Sequence, residues 1–278
     1  MTWGKSIVHW RDNGSVNVSV VFTWHLPLAH KFCERFHDAG ISVRVGGPAV
    51  RLMPEYLADV ATIGGDLNVL PRHNPHATFT SRGCIRSCKF CAVPRIEGDL
   101  RELDSWDPQP IVCDNNLLAC SRKHFDRVID SLKPIRAIDF NQGLDCRLLG
   151  DYHIDRFREL NISTLRFSWD FISEESAVMG AIERCLKAGF SKSKIRVYVL
   201  FGFMDTPEDV LYRLQTLCNM KILTNPQCYQ PIEKSDYGDP LIKDSFVAPG
   251  WTLRELKRYR RYWSRTRYFG KLPFAEYV

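Results

Sequence analysis

Ser81-Arg82-Gly83-Cys84-Ile85-Arg86-Ser87-Cys88-Lys89-Phe90-Cys91 is the stretch on which the reading of the fold turns. Three cysteines fall within eight residues, separated by three residues and then by two. A thiolate is a soft ligand for iron–sulfur clusters and zinc, and this spacing lets one short loop wrap one metal centre. A structural zinc site takes four protein ligands, and so does a cubane cluster held by cysteine alone. A cubane held by three cysteines leaves one iron open to a further ligand.

Ala77 to Thr80, just before the loop, reads as a strand. The same pattern, a short apolar strand ending in polar residues, recurs downstream. Ile111-Val112-Cys113 ends at Asp114-Asn115-Asn116, Ala137 to Phe140 at Asn141-Gln142, Leu165-Arg166-Phe167 at Ser168-Trp169-Asp170, and Ile195 to Phe201 at Gly202. Lys221 to Thr224 is a weaker sixth strand. Helical stripes fill the gaps. Ser121 caps one with Phe125, Val128, Ile129 and Leu132 inward, Asp151 caps a second with Ile154, Phe157 and Leu160, and Ser173 begins a third that Gly189 closes. Thr206-Pro207-Glu208-Asp209 opens a fourth with an N-cap, a proline at the first helical position and acids on the positive end of the dipole. Strands about 30 residues apart with helices between them are the signature of a β/α repeat. About six units are too few for a closed eight-fold barrel and suit an open one, so the expected fold is α/β, a partial (β/α)6 TIM-like barrel. In such barrels the loops that follow the strands form the active-site face. The polar strand ends all fall on the side of the cysteines.

Upstream, residues 16–22 read as a strand. Leu28, Phe32, Phe36 and Ala39 recur at helical spacing with Gly40 as the cap, and Ile41 to Val45 reads as a second strand. A short helix from Pro54 to Val60 follows, then Pro71-Arg72-His73-Asn74-Pro75 as a linker. The expected domains are a small Rossmann-like βαβ region over 1–75, the barrel over 76–240, and a basic, aromatic, helical tail over 241–278. In the tail, Arg254, Lys257, Arg258, Arg260, Arg261, Arg265, Arg267 and Lys271 face one acid, Glu255. Trp251, Tyr259, Tyr262, Trp263, Tyr268 and Phe269 are interleaved with them.

Ten cysteines in 278 residues do not read as a disulfide framework. Seven of them (Cys33, Cys113, Cys120, Cys146, Cys185, Cys218, Cys228) are scattered singly, as expected of small buried apolar residues in a reducing cytoplasm. No apolar run approaches the roughly 20 residues that span a bilayer, and Met1 to Trp10 lacks a signal-peptide core. The net charge of +6 mildly favours an anionic partner.

The Cys84-x3-Cys88-x2-Cys91 motif, with Phe90 before the last cysteine and a first strand before the loop, resembles the signature of radical S-adenosylmethionine enzymes. The Thr80-Ser81-Arg82-Gly83-Cys84 approach is similar to the branch with methylthiotransferases and cobalamin-domain enzymes. Asp114-Asn115-Asn116, Asn141 to Arg147 and Phe201 to Glu208 resemble that family's segments after the second, third and fifth strands. The resemblance covers about residues 77–220. It implies a [4Fe–4S] cluster on Cys84, Cys88 and Cys91, with S-adenosylmethionine chelated at the fourth iron. An external donor such as flavodoxin or ferredoxin would supply an electron, and a 5′-deoxyadenosyl radical would take hydrogen from a substrate. On this resemblance Phe90 packs near the adenine, and Gly202 lets the backbone approach it. Asn115 and Asn116 reach the methionine amine or the ribose, Ser168 and Asp170 bond the ribose or the methionine end, and Arg147 takes the carboxylate. Ordinary turn and capping chemistry is the competing reading for Asn115, Asn116 and Asp170, and a surface ion pair for Arg147.

The chain also departs from these relatives. Only Cys33 lies in the N-terminal region, which argues against a second cluster and methylthiolation, and no Asp-x-His-x-x-Gly motif supports cobalamin. Three functions compete. The first is radical modification of a small molecule or peptide. The second is radical modification of nucleic acid or a nucleotide, motivated by the basic tail, for which an amphipathic helix packed on the barrel is the competing explanation. The third is a zinc-binding module without catalysis, which needs His73 or His76 as a fourth ligand.

Overall fold

The computed structural model describes residues 4–64, 69–264 and 273–277. The chain divides into two compact units. One comprises Met1–Ala77, Cys91–Gly98 and Gln230–Ser245, the other Thr78–Phe90, Asp99–Tyr229 and Phe246–Val278.

The first unit is built on a four-stranded sheet, β1 (Ile7–Asp12), β2 (Ser15–Val20), β3 (Val43–Gly46) and β4 (Thr62–Ile63), in that spatial order. β1 and β2 are an antiparallel hairpin. Its turn, Asn13-Gly14, has φ of 47° and 78°, and this left-handed pair matches the twist of the flanking strands. β2 then pairs parallel with β3 through the helix Leu26–Asp38, and β3 pairs parallel with β4. The expected βαβ crossover is therefore present, and β1 adds a strand that the apolar periodicity did not reveal. The helix begins at Leu26, so its buried stripe is Leu26, Ala29 and Cys33. Leu28, expected inward, is 62% exposed, and Ala39 is exposed. The expected helix at Pro54–Val60 is a helix over Pro48–Leu52 followed by a single 3-10 turn, Pro54–Leu57. The expected linker is ordered: Leu70–His73 forms a helical turn, and His73 is buried. His73 hydrogen-bonds through Nδ1 to the Lys5 carbonyl (2.6 Å) and through Nε2 to the Ser19 hydroxyl (2.9 Å).

The second unit carries the repeat. β5 (Ala77–Thr78) leads to a short antiparallel ladder of β6 (Ser81–Arg82) with β7 (Arg101–Glu102). β8 (Ile111–Val112), β9 (Ile138–Phe140), β10 (Ile162–Ser168), β11 (Ile195–Phe201) and β12 (Leu223–Cys228) join β5 in a six-stranded sheet ordered β12-β11-β10-β9-β8-β5. β8 through β12 pair parallel, each with the next. Spatial order thus follows chain order. The expected weak sixth strand is six residues long and starts later, because Lys221 takes a left-handed φ of 60° that ends the preceding helix.

Four helices, Arg122–Leu132, Asp151–Phe157, Glu175–Lys187 and Pro207–Asn219, link the strands from β8 to β12. Their apolar stripes (Phe125, Val128, Ile129; Ile154, Phe157; Val178, Ile182; Val210, Leu214, Leu217) are fully buried with Ile138, Phe140, Leu165, Phe167, Val197 and Val199. The alternate residues of the same strands are polar. Arg166 donates to both carboxylate oxygens of Asp139 (2.6 Å each) and to the Tyr198 hydroxyl (3.2 Å), which donates to the Asn141 carbonyl (2.9 Å). Period-two alternation thus gives this sheet one apolar face under the helices and one polar face. The helix Leu253–Trp263 buries Leu256, Tyr259, Tyr262 and Trp263 in the same core. The expected basic tail is therefore helical and packed through its aromatics. Arg265, Arg267, Tyr268, Phe269 and Lys271 lie outside the described residues. No helix is long and apolar enough to cross a membrane among the described residues.

Candidate active site

The cysteine loop starts from a buried anchor. Asp114, at the end of β8, is 3% exposed and accepts the backbone N–H of Thr80 (2.6 Å) and of Ser81 (3.0 Å), together with the Thr80 hydroxyl. Burial pushes its carboxyl up, and these donors oppose the shift. Its work is to fix the chain entering the loop.

Two donors meet the first cysteine sulfur. The backbone N–H of Arg86 lies 3.4 Å from Cys84 Sγ, and the Asn116 amide Nδ2 lies 3.7 Å from it. Asn116 is buried, and its Oδ1 has no hydrogen-bond partner. Its Nδ2 also reaches Asp145 Oδ2 at 3.4 Å. Asp145 gathers the loop and the segment after β9. It accepts Arg86 Nε (3.1 Å), and from Arg147 the backbone N–H (3.1 Å), Nε (2.7 Å) and Nη2 (3.2 Å). Burial alone would raise its carboxyl, but the Arg147 bonds and charge, with Arg86, hold it below the usual range.

Arg147 continues to Glu174 Oε1 at 3.0 Å, and Glu174 Oε2 accepts the backbone N–H of Asp170 (3.0 Å) and Phe171 (3.3 Å). Burial and then the Glu174 charge push the Asp170 carboxyl up to about 6, and the Ser168 side chain opposes the rise. Cys88 stands in the same field. Burial raises its thiol, Arg147 opposes, and Asp170, Cys84 and Glu174 add to the rise. Phe90 packs against Phe171 (5.9 Å between centroids) and Phe203 (6.0 Å).

Gly202 has a φ of 74°, and its N–H donates to Asp205 Oδ1 at 3.0 Å. A Cβ there would lie 2.6 Å from Leu256 Cδ2, so the turn and Leu256 explain the glycine. Behind it lies Arg213, fully buried. One of its nitrogens donates to the carbonyls of Trp169 (2.7 Å), Asp170 (2.9 Å) and Leu200 (2.9 Å), and the other donates to Asp205 Oδ2 (2.7 Å).

Cys84, Asn116, Arg147, Ser168 and Asp170 therefore belong to one polar network that includes Cys88 electrostatically, and Phe90 sits in an aromatic wall beside Phe171. Asn115, half-buried, is in the turn next to Asn116. Cys91 opens the segment Cys91–Gly98, which is grouped with the first unit. The three loop cysteines are free and half-buried, and among the described residues no three His, Cys, Asp or Glu side chains converge as metal ligands. Sequence reasoning missed Arg86, Glu174, Asp205 and Arg213 as parts of this site. A readable signal existed only for Arg213, a cation inside the apolar stripe of its helix. Comparison with models of known families found no match, and comparison with curated proteins found no significant relative.

Proposed function

We propose that this chain is a radical S-adenosylmethionine enzyme on an open, partial (β/α)6 barrel. The observation that carries the reading is the position of the Cys84-x3-Cys88-x2-Cys91 loop. It follows the first strand of a sheet whose strands lie in chain order, and polar strand ends bond directly to the loop. Three free thiols on one short loop are the donor type that a three-cysteine cluster takes. Cys84 Sγ already meets two N–H donors, the Arg86 backbone and the Asn116 amide. Burial raises the Cys88 thiol and the Arg147 charge opposes the rise, so a metal there would have to displace its proton. When bound, such a cluster supplies one electron, taken from an external donor such as flavodoxin or ferredoxin, to cleave the sulfonium of S-adenosylmethionine.

The chain's own residues bind and orient. Asn116 Oδ1, buried and unpartnered, offers an acceptor beside Cys84 to an ammonium or hydroxyl group. Phe90, Phe171 and Phe203 offer a planar group an aromatic surface that excludes water. Arg147 is held by two carboxylates, so it takes a third only by releasing Glu174 or Asp145. Ser168 and Asp170 present a hydroxyl and a carboxyl at the end of β10. A substrate is received on the polar sheet face set by Asp139, Arg166 and Tyr198.

Anaerobic purification and reconstitution test this. The expected result is a brown protein with about four irons that forms 5′-deoxyadenosine from S-adenosylmethionine under dithionite. Cys84→Ala, Cys88→Ala and Cys91→Ala should each abolish both signals. A colourless protein with one zinc would overturn it in favour of the interaction module. That alternative is weakened because both ring nitrogens of His73 are already hydrogen-bonded within the first unit.

A further inference from the structure

The helix Leu253–Trp263 has an exposed face opposite its packed aromatics. Arg254, Lys257 and Arg261 are exposed at spacings of three and four, which aligns them in one stripe. Among the described residues none of the three has an ion-pair or hydrogen-bond partner. The helix's one carboxylate, Glu255, closes the N-terminal cap, taking the Thr252 N–H at 2.8 Å and its hydroxyl at 2.7 Å. It is thereby committed to the cap rather than to the cations. Arg254 stands in the first turn, where the helix dipole disfavours a cation, so helix stability does not account for it.

Arg258 has a different task. Its guanidinium donates to the carbonyls of Phe274 (2.6 Å), Ala275 (3.3 Å) and Tyr277 (2.5 Å), and lies over the Phe274 ring at 4.4 Å. It holds the C-terminal turn against the helix and makes a wall of it. A cavity of about 390 Å³ is lined by Leu253, Arg254, Lys257, Arg258, Arg261 and Tyr277. The exposed acid of the turn, Glu276, is not among its lining residues.

From this we infer that the helix and the C-terminal turn form a binding groove for a single-stranded polynucleotide, with phosphates on Arg254, Lys257 and Arg261 and an unstacked base in the cavity. The cations span about 10 Å along the helix axis, room for more than one phosphate. Phosphate neutralisation releases counterions and makes the affinity depend on salt. The cavity supplies the discrimination. Leu253, Tyr277 and the aliphatic stems of the basic residues offer a base an apolar and aromatic seat. A duplex keeps its bases stacked and offers no free base face to the cavity, and an acidic peptide carries no base to fill it. This inference stands on the helix and its wall and does not depend on the cluster.

The test uses the full chain and a labelled mixed-sequence RNA of about 15 nucleotides, followed by fluorescence anisotropy between about 50 and 200 mM salt. Its arms are the same sequence as single-stranded DNA and as blunt duplex DNA. Arg254→Gln/Lys257→Gln/Arg261→Gln should weaken single-strand binding about tenfold or more and lower the salt slope by about 2, at roughly 0.7 per phosphate. Arg136→Gln/Arg158→Gln/Lys192→Gln removes the same charge from exposed or partly exposed sites elsewhere and should change affinity by less than about twofold. Tyr277→Ala should weaken single-strand binding with the slope unchanged. Binding of either single strand above the duplex supports the groove, and the tighter one assigns the sugar. Four results overturn it: no binding by the wild type, equal loss in both triple variants, duplex bound as tightly as single strand, or equal displacement by polyglutamate of matched charge.

Discussion

At the scale of single residues, two positions carry measurable consequences. Asp170 is a carboxyl whose folded value, about 6, lies above its ordinary 3.8. The native state therefore holds this proton more tightly than the unfolded chain, and stability falls as pH rises from about 4 through 6. Above that window the buried carboxylate costs on the order of 2–3 kcal/mol. Asp170→Asn should make the cluster-free chain more stable than wild type at pH 8, with the gap closing toward pH 4 in urea melts. A gap that does not change with pH would sink the assignment. Gly202 is the second position. Gly202→Ala adds a left-handed penalty of about 1–2 kcal/mol and a contact with Leu256 Cδ2 at 2.6 Å. In a double-mutant cycle with Leu256→Ala only the backbone part should remain, so the double variant should lose about 1 kcal/mol less than the sum of the two single variants. The sequence showed where these residues lie, since both follow apolar strands, but not what they touch. Gly202 was read as room for a ligand, whereas Leu256, 54 residues away, is what fills that space. Contacts over such separations leave no local periodicity to read.

At the scale of elements, the β/α repeat was legible because each strand and helix states its own period. The boundaries of Ile195–Phe201 and the cap at Thr206 follow from alternation and capping chemistry alone, and Thr206 Oγ1 does accept the Asp209 N–H at 3.2 Å. β1 was missed although Asn13-Gly14 is a strong hairpin signal, because Trp10, Arg11 and Asp12 break the apolar pattern on its exposed side. The segment at 71–75 looked like a linker because its prolines masked a buried histidine. The joints between elements were the least readable. Arg213 ties the ends of β10 and β11 to Asp205 with one guanidinium. Arg213→Met should leave Asp205 as an uncompensated buried carboxylate and cost about 3–5 kcal/mol in denaturant melts. It should also speed amide exchange at both strand ends together. Loss confined to one strand end would show that the guanidinium is not their common tie.

At the scale of the whole molecule, the first unit is assembled from three separated stretches of chain. Gln230–Ser245 gives it the Pro240 carbonyl, which accepts the Thr23 hydroxyl at 2.6 Å, and the Glu233 carboxylate, which accepts from both terminal nitrogens of Arg95 at 3.1 Å. Leu241 packs against the core around Val18 and Val45. Replacing Gln230–Ser245 with a flexible linker of equal length should therefore keep the second unit's sheet protected from hydrogen exchange, while β2 and β3 exchange about tenfold faster or more, a loss of at least roughly 1.4 kcal/mol. Equal protection of β2 in the two chains would contradict this. The same arrangement sets an order in time. The strands of this sheet leave the ribosome before the segment that completes the unit, which arrives about 150 residues later, roughly 8–30 s at ordinary rates of translation. For that interval the first unit lacks its last segment, and its unfinished β2 and β3 are what a nascent-chain chaperone would meet.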